Sequence, residues 1–130
     1  MITSYLEVAV GDYIFLLASS MVREVWHVAH APEVSEGMYS WRGHACALTD
    51  CRTLLGVEAS KTTASTLLAY GEGDTPLILV VDRVVTLHRL DDDALYPLPT
   101  SLAPLNRYVD RIFWPDAEGC PMLRWSRLSA

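Results

Sequence analysis

The chain has 130 residues and a mass of 14.5 kDa, with 51% hydrophobic and 20% charged residues. That composition suits one folded domain and excludes a disordered tail, a collagen-like repeat and a coiled coil. Lys and Arg number 10 against 16 Asp and Glu, a net charge of -6, so no basic footprint exists to neutralise a phosphate backbone and nucleic acid is not expected as a partner.

The N-terminal residues Met1 to Val8 carry no basic start followed by an apolar run, so no signal peptide is expected. Ser4 to Val10 alternates polar and apolar residues, Gly11-Asp12 supplies a turn, and Tyr13 to Ala18 follows as an apolar run; together they predict a hairpin. Val22, Val25, Trp26 and Val28 are β-branched or aromatic and predict a second extended stretch. Ala31-Pro32-Glu33 through Glu36-Gly37 reads as a loop. Tyr39 to Leu48 predicts one further strand, ending at Thr49-Asp50, where a side chain would cap a short helix over Cys51 to Leu55 that Gly56 stops.

Glu58 to Ala64 is small and polar and predicts an exposed loop. Thr66 to Tyr70 and Leu77 to Val81 flank Gly71-Glu72-Gly73-Asp74 as a second hairpin. Val84 to Leu90 predicts a strand and Asp91-Asp92-Asp93 a solvated turn. The prolines of Tyr96 to Pro104 keep that segment out of a central ladder position. Arg107 to Trp114 and Met122 to Trp125 then close the fold around Pro115-Asp116-Ala117-Glu118-Gly119.

Short strands at close spacing, with no helix of a dozen residues to serve a parallel crossover, predict an all-β barrel or sandwich. About nine or ten strands in this length let two small barrels share residues 1-130 without a separate linker. The longest apolar runs, such as Leu77 to Val81, fall far short of the roughly 20 residues that span a bilayer, so no membrane insertion is expected. Three cysteines, Cys46, Cys51 and Cys120, are odd in number and too few for a disulfide framework, which suits a soluble protein of the reducing cytoplasm.

Little in the chain points to catalysis, and no enzymatic activity or cofactor is expected. No Gly-x-Ser-x-Gly elbow, P-loop or dinucleotide fingerprint is present. Asp50 and Asp82 each end an apolar strand, where a carboxylate satisfies backbone donors of a turn, so both are expected to serve the fold. His27, His30, His44, Cys46 and Cys51 form the one conceivable metal set. They lack a Cys-x-x-Cys pair, so a small metal-dependent protein stands only as a remote alternative. Glu24 and Arg42 each lie in an apolar, strand-like stretch, where an unpaired charge is costly, and are expected to meet across a barrel. Trp26, Trp41, Trp114 and Trp125 add to an apolar inventory that small barrels cannot wholly bury, which predicts exposed patches for protein contacts.

Several pieces keep a recognisable order: Val22-Arg23-Glu24-Val25, Ala31-Pro32 followed by Gly37, Trp41-Arg42-Gly43, an apolar strand ending at Asp50, and Val80-Val81-Asp82-Arg83-Val84. In this order the chain resembles the CheW-like domain, the scaffold of the chemotaxis coupling protein CheW and of the regulatory domain of its kinase CheA. The family shows Val-x-Glu-[Val/Ile], Asn-Leu-Arg-Gly and Val-Val-Asp-x-Val at the matching places. Departures are Ser40-Trp41 for Asn-Leu, Ala47 for a usual proline, Cys51 where leucine or a relative is common, and a shorter segment between Glu24 and Pro32.

The resemblance implies two SH3-like five-stranded β-barrels packed together, with one or two short helical turns, in which Gly37, Gly43, Asp50 and Asp82 serve the structure. It further implies a non-enzymatic adaptor that couples the helical cytoplasmic tip of a chemoreceptor to the CheW-like domain of a CheA-type histidine kinase. Such an adaptor is cytoplasmic and sits at receptor arrays on the inner membrane. A groove between the barrels would take the receptor tip, with Met21, Val22, Val84, Val85 and Leu87 as apolar floor and Glu24 and Arg42 at the rim, while apolar barrel ends would dock the kinase. The departures around Trp41 leave an alternative, a module retuned for a surface-motility or gene-regulatory chemosensory pathway with changed or lost kinase coupling.

Overall fold

The computed structural model describes residues 1–28, 37–54, 65–98, 108–115 and 120–125. Its strands are β1 (Ile2–Val10), β2 (Tyr13–Ala18), β3 (Val22–Val28), β4 (Met38–Trp41), β5 (His44–Asp50), β6 (Ser65–Tyr70), β7 (Leu77–Val81), β8 (Arg83–Asp91), β9 (Tyr96–Pro97), β10 (Val109–Phe113) and β11 (Met122–Trp125). One helical turn, α1 (Cys51–Leu54), follows β5, and Asp50 caps it by accepting the Arg52 N–H at 3.0 Å. Among the described residues no helix is long and apolar enough to cross a membrane.

The strands form two sheets of orders β8-β1-β2-β11-β10-β9 and β3-β6-β7-β5-β4. Pairing is antiparallel except for β2 with β11 and β5 with β7. The second sheet is drawn from the middle of the chain, and the first from the strands on either side of it.

Alternation along the strands explains how the sheets come together. Phe15 and Leu17 of β2, Leu68 and Tyr70 of β6, and Leu79 and Val81 of β7 share one cluster to which both sheets contribute. The residues between them point the other way. Leu67, Ala69, Ile78 and Val80 fill the inside of the second sheet with Trp41 and Cys46, while Leu16 joins Tyr5 and Leu95 inside the first. Each sheet therefore buries two faces, one in its own curl and one in the shared seam. That is why β6 is buried at every position and the run Leu77 to Val81 is unbroken by a polar residue.

Two sequence expectations are corrected. Tyr39 to Leu48 is not one strand but the β4–β5 hairpin, turning at Arg42 (φ +49°) and Gly43 (φ +81°). Positive φ at both central residues is what a tight type I′ hairpin turn requires, and apolar residues on both sides of Arg42 masked it in the sequence. Asp91 to Asp93 is more than a solvated turn. Asp91 accepts the Asp93 N–H at 3.0 Å to cap a short 3₁₀ turn, and Asp92 accepts hydrogen bonds from the Thr3 and Tyr5 hydroxyls at 3.1 and 3.0 Å. The Asp93 N–H holds the Asp91 carboxyl below the usual carboxylate range. The expected loops at Ala31-Pro32 and Glu58 to Ala64, with Gly56 and the turn at 116–119, lie outside the described residues.

Candidate functional site

β3 and β8 are terminal strands of their sheets, each hydrogen-bonded along one edge only. Both keep an alternating, half-exposed pattern that the central strands have lost. Met21, Val22 and Val84 are half-buried and pack against the seam cluster, as does Leu6. Leu6 faces Leu87 across the β1–β8 ladder, which places Leu87 on the seam side of the sheet. There Leu87 is 56% exposed, and Val85 is 41% exposed beside a register shift in the same ladder. The apolar face of the seam thus continues past its closed part onto an open strand. Sequence reasoning missed Val25, which pairs with the seam residue Leu68 and is 40% exposed.

Glu24 and Arg42 do meet, but not in an interior. Arg42 Nη2 lies 2.9 Å from Glu24 Oε1, and the two side chains are 58% and 41% exposed. Arg42 occupies the hairpin turn, so its charge never enters the apolar stretch that the sequence suggested. Behind it stands Trp41, only 5% exposed, whose ring centroid is 4.4 Å from the Arg42 guanidinium and 5.7 Å from that of Arg23. Arg23 in turn donates to the Gly73 carbonyl at 2.9 Å.

Asp50 and Asp82 belong to a separate polar network whose centre, Arg52, the sequence reading overlooked. Arg52 is 3% exposed and lies 3.2 Å from Asp50 and 3.7 Å from Asp82. Asp82 also accepts the Gly11 N–H at 2.6 Å, which ties the β1–β2 turn to the β7–β8 junction rather than capping its own turn. This network fastens the two sheets at one end of the seam. The signal for it in the sequence was an arginine flanked by Cys51 and Thr53 in a turn with no other cation.

The His and Cys set is dispersed. Cys46 is fully buried inside the second sheet, His44 is exposed, and His27 Nδ1 lies 3.0 Å from the Thr66 hydroxyl. Among the described residues no group of His, Cys, Asp and Glu is placed to hold a metal ion, and His30 lies outside them. The three thiols are unpaired. Burial pushes the Cys51 thiol up to about 12.

At one end of the first sheet, Tyr13, Ile14, Ile112, Trp114, Pro121 and Leu123 line an apolar cavity of about 380 Å³. Trp114 is 49% exposed there, and Tyr96 on β9 is 61% exposed.

The sequence pattern of the CheW-like domain matches residues 4–129. No curated protein sequence matches significantly. Among solved structures, the scaffolding protein TtCheW from Thermoanaerobacter tengcongensis is similar with a TM-score of 0.75 at 18% sequence identity, covering 98% of this chain and 90% of that one. At that identity the likeness concerns the fold, two SH3-like barrels.

Proposed function

This chain belongs to the CheW-like domain family, and from that premise we propose that it is a non-enzymatic adaptor holding a chemoreceptor-type helical tip and a CheA-type histidine kinase at fixed geometry. The observation that carries the reading is the open apolar strip on β3 and β8. Met21, Val22 and Val84 form a half-buried floor, Val85 and Leu87 stand exposed, and Glu24 of β3 pairs with Arg42 of the hairpin turn. An amphipathic helix buries its apolar stripe in such a floor and leaves its polar flanks to a charged rim. The chain's own CheW-like fold also suits pairing with the kinase's CheW-like domain, through apolar barrel ends such as the one lined by Trp114 and Ile112. Both partners place the adaptor on the cytoplasmic side, at receptor arrays.

Val22→Asp and Leu87→Asp are expected to abolish capture of a chemoreceptor helical tip in pull-downs while leaving the circular dichroism spectrum unchanged. Wild-type capture by both variants would remove the strip from the binding surface. The Trp41 stack, absent from the family's Asn-Leu-Arg-Gly pattern, favours a second reading, a module retuned for another chemosensory pathway. Co-purification of receptors without any CheA homologue supports that reading over the first.

A further inference from the structure

From the cluster around Trp41 we infer that its indole is a platform presenting two guanidinium groups to a carboxylate on the bound helical segment, so that recognition at this edge depends on a residue buried beneath the contact. The inference rests on the adaptor reading and adds to it the chemistry of the partner. Four observations support it.

Arg42 is held rather than floppy. Its backbone sits at φ +49°, in a turn whose next residue is also at positive φ, so the side chain leaves the hairpin in a fixed direction. Its guanidinium lies 4.4 Å from the Trp41 centroid and gives one hydrogen bond to Glu24. A guanidinium has five N–H donors in a planar fork, and the others meet no partner among the described residues.

Arg23 is the second cation. It lies 5.7 Å from the same ring and spends one donor on the Gly73 carbonyl. Glu72 and Asp74 flank that glycine, yet neither forms an ion pair with Arg23 among the described residues, so the remaining donors of its guanidinium are not committed to them. In a chain of net charge -6, two arginines gather about one buried indole, and Glu24 is the carboxylate that ion-pairs with one of them among the described residues. An arginine stacked on an aromatic face loses little freedom when it accepts a carboxylate, which favours it over a free surface lysine.

Lastly, the Trp41 Nε1 is buried without a hydrogen-bond partner among the described residues. The indole is thus tolerated here at a cost that a leucine would not incur, and its use as a stacking surface accounts for it.

The test is titration of the adaptor with the helical cytoplasmic tip of a chemoreceptor from the same cell, at 50 to 300 mM salt chosen on the order of the screening range. Wild type is expected to weaken with salt. Arg42→Lys keeps the charge and loses the planar stack, and is expected to weaken binding about five-fold; Arg23→Gln is expected to flatten the salt dependence. Both positions are exposed, so folding is preserved. Trp41→Phe should retain more affinity than Trp41→Leu. Wild-type affinity and salt dependence in both arginine variants would overturn the inference and leave the adaptor reading standing. Absence of binding by wild type to both the receptor tip and the kinase domain would end the adaptor reading, and this inference with it.

Discussion

Arg42 and Arg52 carry the same charge on neighbouring elements, yet burial gives them opposite parts. Arg52 is 3% exposed and pairs with two aspartates, and its removal takes away the cation they share, leaving Asp50 with the backbone N–H of residue 52 and Asp82 with the Gly11 N–H. Arg52→Met is therefore expected to lower unfolding free energy by about 2 to 3 kcal/mol in urea, less than a fully buried pair because both carboxylates reach water. Arg42→Met, which breaks an exposed pair, is expected to cost at most about 0.5 kcal/mol. Equal losses in the two variants would contradict this division. The thiols separate in the same way. Burial pushes Cys51 up to about 12 and raises Cys46 as well, so at pH 8 both stay protonated as well as shielded. Cys120 is exposed. A thiol-reactive dye at pH 8 is expected to label one cysteine in the native protein and three in urea.

Among the elements, the β4–β5 hairpin offers the sharpest separation of fold from function. Asn is the residue best suited to the first position of an Asn-Gly turn with positive φ, so Arg42→Asn is expected to leave stability unchanged or raise it by about 0.5 kcal/mol. The same substitution removes the guanidinium and should weaken partner binding. Loss of stability together with binding would show that the arginine serves the turn itself. This hairpin also marks where the sequence was hard to read. Strands such as Tyr13 to Ala18 and Val22 to Val28 declare themselves by composition and flanking turns, and their limits match those of β2 and β3. A turn built on an arginine at positive φ lacks the usual Asn or Asp, so the strand pattern ran through it. The site was legible in a similar measure. Glu24 and Arg42 were paired correctly, but for an interior that does not exist at that place, while Val25 and Arg52 went unnoticed because their importance depends on which strands lie at a sheet edge and which turns converge. Those are long-range facts that local patterning does not encode.

For the molecule as a whole, the seam does what neither sheet does alone. Phe15, Leu17, Leu68, Tyr70, Leu79 and Val81 are all at most 3% exposed, and they come from both sheets. Leu68→Ala is expected to cost about 2 to 5 kcal/mol and to lower the melting of both barrels together, since the cavity it leaves belongs to both. Tryptophan fluorescence and far-ultraviolet circular dichroism should then follow one transition. Two separated transitions would show that the barrels are independent units.

The nesting of one sheet within the other has a consequence for the newborn chain. Strands from the middle of the sequence can pair as soon as they leave the ribosome, whereas β2 must wait for β11, which is made more than a hundred residues later. During that interval Phe15 lacks the part of its cover that β11 supplies, above all Trp125, whose ring centroid ends 5.6 Å from its own. Slow closure of this long-range contact is expected to govern the folding rate, and chaperones would find their target in the unfinished barrel.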